Sequence, residues 1–102
     1  MTTPKRGDVW TLDIAGQGHV LIVSSTVYNE IDTEPTIIAI PILSGEPDTG
    51  FGVMLDEDRW AATGLVTSLR KSRLAQFEHN VGTQALTDVN NMLFRILATP
   101  DR

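Results

Sequence analysis

The hydrophobic and polar positions near the start of the chain alternate as they do in β-strands. Trp10, Leu12 and Ile14 occupy every second position, which is the period of a strand with one buried face. After a Gly-rich loop, the centre of residues 19–25 is continuously apolar, as expected of a strand that lies between two others. The pattern therefore predicts two neighbouring strands, at residues 8–14 and 19–25.

Short apolar runs continue along the chain, and the period then changes. Four further strands are predicted, at residues 36–43, 51–55, 64–69 and 75–81. Pro41 lies in the first of these, which indicates an edge strand or a bulge. The last segment is helical in its spacing, with Thr83 as the predicted N-cap and inward positions at Leu86, Val89, Leu93, Ile96 and Leu97.

Five or six short strands followed by one helix predict a mainly β fold. We expect a small, strongly bent antiparallel sheet or half-open barrel of the SH3-like kind, with the helix packed on it. The 102 residues are enough for one domain over residues 1–102. Trp10 is expected in the core, whereas Trp60 could cover the sheet or lie in a subunit interface.

Composition narrows the class of protein. The chain is 41% hydrophobic and 21% charged, as in an ordinary soluble globular domain. No apolar run approaches the roughly 20 residues of a membrane span, and no signal peptide is recognised. The absence of cysteine excludes disulfides and thiolate nucleophiles. We therefore expect a cytoplasmic protein without a membrane partner.

The net charge of −5 argues against a dedicated nucleic-acid binder, because phosphate contacts require Lys and Arg. The charge is unevenly distributed, however. Arg70, Lys71 and Arg73 form a group that we call the basic turn. It could attract phosphate, or it could be a solvated turn with no ligand.

No pattern in the sequence identifies a metal or cofactor site, and we predict neither. His19 and His79 are far apart and lack the spacing of a zinc site. His19 lies where a loop enters an apolar strand, so its imidazole could act as a general acid or base, or it could be a partly buried hairpin residue. Ser44 could contact a ligand or simply end its strand.

Several segments, in order along nearly the whole chain, resemble the MazF/PemK (Kid) toxin family. They are Arg-Gly-Asp-Val-Trp at 6–10, the strand at 20–25 with Asn29 after it, the strand at 36–42, Lys-Ser-Arg-Leu at 71–74, and the terminal helix. The resemblance implies a CcdB/MazF/PemK-like barrel and a homodimeric toxin of a type II toxin–antitoxin system. It also implies sequence-selective, metal-independent cleavage of single-stranded RNA, and neutralisation by a MazE-like antitoxin whose disordered tail covers the RNA site.

The chain departs from the family pattern where the chemistry is performed. Cleavage by attack of a ribose 2′-OH needs a base, an acid and a cation. Typical members have Arg-Pro where this chain has Gly18 and His19, and Thr-Ser where it has Leu43 and Ser44. A later family segment with an arginine and two acids is also lost, and Arg70 stands where an acid is expected.

Two interpretations fit these losses. In the first, the site is rebuilt, with His19 as acid or base, Arg70 as the phosphate-binding residue and Ser44 as an RNA contact. The further RNA-binding residues are then predicted to be Gly18, Gln17, Thr67, Lys71 and Arg73. In the second, the fold is kept but the nuclease is weak or inactive. The protein is then a module that binds an antitoxin or another protein, as the gyrase-poisoning relatives of this fold do without a nuclease site.

Overall fold

The computed structural model describes residues 3–13 and 18–98. Within these residues the fold is mainly β with a C-terminal helix, as predicted. The strands of this part of the chain are β1 (Asp8–Leu12), β2 (His19–Ile22), β3 (Thr36–Ser44), β4 (Gly52–Met54), β5 (Arg59–Ala62), β6 (Thr67–Arg70) and β7 (Leu74–Asn80). The helices are α1 (Thr26–Asn29) and α2 (Gly82–Ala98), and short 3-10 turns lie at Thr63–Leu65 and Lys71–Arg73.

The predicted elements differ most from the structure at residues 59–70. The sequence pattern missed β5, because the charged run before Trp60 interrupts the apolar alternation. The strand predicted at 64–69 begins only at Thr67, since the backbone N–H of Val66 donates to the carbonyl of Thr63 and closes a 3-10 turn there. Ile14 of the predicted first strand lies outside the described residues.

Strand β3 organises the sheet. The strands pair antiparallel in the order β4-β5-β3-β2-β1-β7, and β6 also pairs with β3. Because β2 takes one edge of β3, the other edge is shared: residues 36–39 face β6 and residues 42–44 face β5. Pro41 lies in the gap between these two partners, where its missing N–H removes no bond to either. β3 is an interior strand whose register with β2 is regular at Pro41, so the prediction of an edge strand or a bulge there was wrong, although that side of β3 is unpaired at Pro41 itself.

The two faces of the central strands pack into two separate apolar clusters. Val9, Leu21, Ile40 and Ile42 lie in one cluster, together with residues of β4, β5 and α2. The alternate residues, including Trp10, lie in the other, with members from β6 and β7 packed beside them. β2 is thus buried on both sides, as its continuous apolar run predicted, and Trp10 lies in the core as expected.

The sheet is strongly curved. β5 and β7 are four strand positions apart, which would separate them by roughly 19 Å in a flat sheet. Nevertheless, Nη1 of Arg59 in β5 lies 3.3 Å from Oε1 of Glu78 in β7. Within the described part of the chain β7 pairs with β1 alone, so the sheet does not close. This arrangement agrees with a half-open barrel.

Helix α2 packs on the first of the two clusters through Val89, which is fully buried. The helix begins at Gly82, and the side-chain oxygen of Asn80 accepts from the Gly82 N–H at 2.9 Å. Thr83 is therefore not the N-cap. Leu97 was also predicted wrongly, because it is 75% exposed while Ile96, about 100° round the helix, stays partly buried.

A buried polar group joins the end of β2 to α1. The side-chain nitrogen of Asn29 donates to the carbonyls of Pro4 and Ser24, at 2.9 and 3.1 Å. The Ser24 hydroxyl donates to the Asn29 side-chain oxygen and accepts from the Ile38 N–H. Ser25 caps α1 by accepting from the Tyr28 N–H. The polar residues at 24–29, which are part of the segment that resembles the family, therefore have a structural role in joining β2 to α1.

Among the described residues, no helix has the length and apolar character needed to cross a membrane.

Candidate functional site

The structure brings His19 and Ser44 to the same place on one face of the sheet. His19 pairs with Ile42 across β2 and β3, and Ser44 lies two residues further along β3. Diagonal neighbours of this kind are roughly 7–8 Å apart and point to the same side. Two residues singled out in different parts of the sequence are therefore close neighbours.

Two charged residues missed by the sequence reasoning complete this group. Arg59 is the first residue of β5 and pairs directly with Ser44. Glu78 of β7 contacts two side chains at once: Oε2 lies 3.2 Å from Nε2 of His19, and Oε1 lies 3.3 Å from Nη1 of Arg59. We call His19, Ser44, Arg59 and Glu78 the site cluster.

A bulge in β7 explains why Glu78 is available for these contacts. Across β1 and β7, Val9 pairs with His79 and Trp10 pairs with Phe77, which leaves Glu78 without an opposite residue. An extra residue of this kind re-aims its side chain and increases the local twist of the strand. The bulge therefore directs a carboxylate across the sheet. In the sequence the only signal was a glutamate that interrupts the apolar pattern of the predicted strand.

The contact with Glu78 defines the proton position on His19. An ionised carboxylate can only accept a hydrogen bond, so the imidazole donates from Nε2. In the neutral ring Nδ1 is then an acceptor, and it has no partner among the described residues. The side chain is about one-third exposed. His19 can therefore take a proton from a bound molecule at Nδ1.

Arg59 is held by two carboxylates. Its Nε lies 3.2 Å from Oδ2 of Asp56, in addition to the contact with Glu78. Burial alone would lower the pKa of Arg59, but the hydrogen bonds to Asp56 and Glu78 outweigh it and raise that pKa. The backbone N–H of Asp58, together with Arg59, lowers the pKa of Asp56. The guanidinium is a permanent, fixed cation beside Ser44.

Arg70, the first residue of the basic turn, lies at the other end of β3. Arg70 pairs with Thr36, the first residue of β3, whereas Ser44 is the last. The strand between these two ends is about 26 Å long at roughly 3.3 Å per residue. Within one protomer, therefore, Arg70 does not lie with His19 and Ser44.

The other members of the basic turn are fixed largely through the backbone. Lys71 donates from Nζ to the carbonyl of Ile31 at 3.1 Å. The Arg73 carbonyl accepts from the N–H of Asp13 at 2.7 Å, which places Arg73 beside the loop before β2. The turn therefore lies between Ile31, which follows α1, and Asp13, which follows β1.

Three further RNA-binding predictions concern residues near β2 and β6. The Gly18 carbonyl accepts from the Leu12 N–H at 3.0 Å, immediately before β2. Thr67 is exposed at the start of β6 and pairs with Ala39, between the two ends of β3. Gln17 lies outside the described residues. Gly18 thus adjoins the site cluster, and Thr67 lies on the way to the basic turn.

A second surface stands out on the opposite face of the same strands. Leu43, Trp60 and Met54 form a row across β3, β5 and β4. Leu43 and Met54 are 40% and 58% exposed, and Leu65 beside them is 57% exposed. Leu43 and Leu65 also line one shallow pocket. We call Leu43, Met54, Trp60 and Leu65 the apolar face.

The comparisons with known proteins agree with this fold. A profile of the PemK-like, MazF-like toxins of type II toxin–antitoxin systems matches residues 5–97. Comparison with curated proteins gave no significant match.

The similar solved structures share the architecture at low sequence identity. MazE–MazF from Deinococcus radiodurans (Form-I) has a TM-score of 0.84 at 22% identity, covering 97% of this chain and 100% of that one. An endoribonuclease in complex with its cognate antitoxin, from a mycobacterial species, has a TM-score of 0.82 at 20% identity, covering 97% and 99%. The Mycobacterium tuberculosis toxin MazF-mt6 has a TM-score of 0.75 at 9% identity, covering 92% and 99%. With its sequence matched over residues 5–97, the chain belongs to the PemK-like, MazF-like toxin family of type II toxin–antitoxin systems.

Proposed function

We propose that this toxin acts in the cytoplasm as an endoribonuclease that cleaves single-stranded RNA without a metal or cofactor. The observation that carries the proposal is the site cluster. There an imidazole, a hydroxyl, a guanidinium and a carboxylate converge from four strands at one exposed place. These groups supply the proton acceptor and the positive charge that phosphodiester cleavage requires. Membership of the family supports the same activity.

The proposed reaction starts at His19. Its Nδ1 takes the proton of a ribose 2′-OH, and the 2′ oxygen attacks the adjacent phosphorus. The bond from phosphorus to the 5′ oxygen breaks, and water supplies the proton that this oxygen needs. His19 then returns its proton to solvent. The products are a 2′,3′-cyclic phosphate and a 5′-hydroxyl end, and the hydroxyl of Ser44 contacts the RNA.

The test is cleavage of single-stranded RNA by the purified protein in EDTA, with identification of the new ends. We expect cleavage, 2′,3′-cyclic phosphate ends and no cutting of an RNA that has a deoxyribose at the cleaved position. Induction in bacterial cells should arrest growth. Growth arrest without any RNA cleavage would reject the proposed nuclease activity but would still agree with a toxin that acts in another way.

The bound RNA would extend from the site cluster toward the basic turn. Gly18, Gln17 and Arg73 would contact it on the His19 side, and Thr67 and Lys71 would contact it further along. Arg70 would then bind RNA at a distance from the reacting phosphate. This path follows β3 and brings the group of positive charges on this acidic protein to the RNA backbone.

We further propose that the toxin is a homodimer that pairs through the apolar face, and that a MazE-like antitoxin binds the dimer over the site cluster. An exposed apolar row across three strands is typical of a surface that a partner covers. The double variant Leu43→Lys/Met54→Lys should sediment as a monomer, whereas Val27→Lys, at an exposed position of α1, should not change the mass. A monomeric native protein, or an unchanged double variant, would contradict this assignment.

One observation favours a second candidate, a binding module without nuclease activity. Arg59 already contacts two carboxylates, and Arg70 lies at the far end of β3. Such a module would bind its antitoxin with normal affinity but leave RNA intact at all protein concentrations. The EDTA cleavage assay separates the two functions.

A further inference from the structure

We propose that Arg59 contacts the scissile phosphate in this chain, and that Glu78 is a positioning residue that holds Arg59 and His19 side by side. The proposal rests on the RNA cleavage proposed above and names the cation that the reaction needs. It replaces the role that the sequence alone assigned to Arg70.

The location of the cations favours Arg59. Arg6 donates from Nη2 to the side chain of Asn90 on α2, and Lys71 binds the Ile31 carbonyl near the far end of β3. Among the described residues, Arg59 is the cation that shares a carboxylate with His19. A phosphate whose neighbouring 2′-OH faces His19 would therefore lie next to this guanidinium.

The guanidinium of Arg59 still has donors to offer. A guanidinium carries five N–H groups in one plane. Asp56 takes Nε and Glu78 takes one position at Nη1, while Nη2 has no partner among the described residues. Nη2 can therefore donate its two N–H groups to phosphate oxygens, as arginine does when it binds phosphate. The two carboxylates fix the orientation of Nη2 before RNA arrives.

The carboxylates of Asp56 and Glu78 do not repel the phosphate in the transition state, where its binding accelerates the reaction. When His19 has taken the 2′-OH proton, it and Arg59 balance the charges of Asp56 and Glu78. At that moment negative charge develops on the phosphate oxygens, which in this proposal lie beside Nη2 of Arg59. The favourable interaction therefore grows during the reaction, as electrostatic catalysis requires.

Glu78 couples the two functional groups because each of its oxygens holds one of them. The same contact that fixes Arg59 also keeps the proton of His19 on Nε2 and leaves Nδ1 free for the 2′-OH. The bulge in β7 makes this possible, since it leaves Glu78 without an opposite residue in β1.

The test of Arg59 compares Arg59→Gln with the charge-matched control Arg6→Gln. We expect Arg59→Gln to lower kcat/KM for RNA cleavage by about 100- to 1000-fold, and Arg59→Lys to recover only part of it. Arg6→Gln should stay within about twofold of the native protein. Equal rates for Arg59→Gln and Arg6→Gln would overturn the proposal.

A second measurement keeps this test apart from the test of the nuclease itself. An RNA 20-mer with 2′-fluoro riboses cannot be cleaved but keeps its phosphates. Arg59→Gln should bind it about tenfold more weakly than Arg6→Gln does. If the native protein cleaves no RNA, the proposed function fails, and this binding difference still decides whether Arg59 contacts phosphate.

The test of Glu78 compares Glu78→Gln with Glu57→Gln, which removes the same charge near Arg59 without contacting His19 or Arg59. Glu78→Gln should lower kcat about tenfold or more with KM nearly unchanged, and Glu78→Asp should recover part of the rate. Imidazole nitrogen NMR should show a proton on Nε2 of His19 in the native protein and a mixture of tautomers in Glu78→Gln. An unchanged tautomer, or equal kcat values for the two glutamine variants, would overturn the positioning role.

Discussion

The two ends of β3 are built differently. At the Ser44 end, side chains from β2, β5 and β7 contact one another across the surface of the sheet. At the Thr36 end, Lys71 is held by backbone carbonyls, and the buried side chains of Ser24 and Asn29 form hydrogen bonds with the backbone of Ile38 and Pro4. The first end is the proposed reaction site, whereas the contacts at the second end stabilise the fold and leave charged side chains at the surface. Substitutions should therefore affect activity at one end and stability or RNA affinity at the other.

The largest effect is expected from His19→Ala. Removal of the proton acceptor should lower kcat/KM for RNA cleavage by about 100- to 10,000-fold, the usual contribution of a general base. His79→Ala is the matched control, because His79 lies on β7 opposite Val9 and outside the site cluster. Equal losses in the two variants, measured by RNA cleavage in EDTA, would place the reaction elsewhere.

Next in size is a stability effect at the Thr36 end. Asn29→Ala leaves the carbonyls of Pro4 and Ser24 without their donor inside the protein, which should lower the free energy of unfolding by about 2 kcal/mol. Arg59→Gln breaks only partly exposed ion pairs and should cost less than about 1 kcal/mol. Urea denaturation of both variants measures this contrast, and a reversed order would remove the distinction between the two ends.

A smaller effect is expected from Arg70→Gln. Loss of one phosphate contact should weaken binding of the 2′-fluoro RNA severalfold and reduce the slope of log affinity against log salt by about 0.7. The cleavage rate at saturating RNA should change little, because Arg70 lies at the far end of β3. A fall in kcat as large as that of His19→Ala would assign Arg70 to the reaction after all.

The smallest effect concerns Glu34, beside the first residue of β3. The hydroxyl of Thr36 donates to Oε2 of Glu34 at 2.7 Å, and this bond, with the Thr36 N–H, lowers the pKa of Glu34. Because the folded pKa is lowered, the associated stability is present above the unfolded pKa and is lost as the pH falls through the folded one. NMR titration of Thr36→Val should give a higher pKa for Glu34 than in the native protein. An unchanged value would mean that the backbone bond alone holds the carboxyl.

The sequence pattern predicted the parts of the fold that depend on local order. The apolar run of β2 indicates an interior strand because both its faces are buried. The spacing of Val89 and Leu93 likewise indicates one face of a helix. β5 was not predicted because it is only four residues long and follows a charged run. It therefore has too few positions to show an alternating pattern.

The site could be predicted only in part for a different reason. His19 was recognised because it lies where a loop enters an apolar strand, and Ser44 because it keeps the second hydroxyl of a family pair. Arg59 and Glu78 are joined to them by the pairing register of β3 and by the bulge in β7, and neither is visible as spacing along the sequence. Arg70 was assigned by its closeness to Lys71 and Arg73, but the register carries it to the opposite end of β3.

Because β3 pairs with β5 at one end and with β6 at the other, its length sets the distance between the proposed reaction site and Arg70. Successive side chains of a strand alternate between its faces, so inserting one residue into β3 would turn Ser44 away from His19. Inserting two would keep the faces but lengthen this distance by roughly 6.6 Å. Relatives of different β3 length should therefore differ by even numbers of residues, and each such step would change how much RNA spans the two ends.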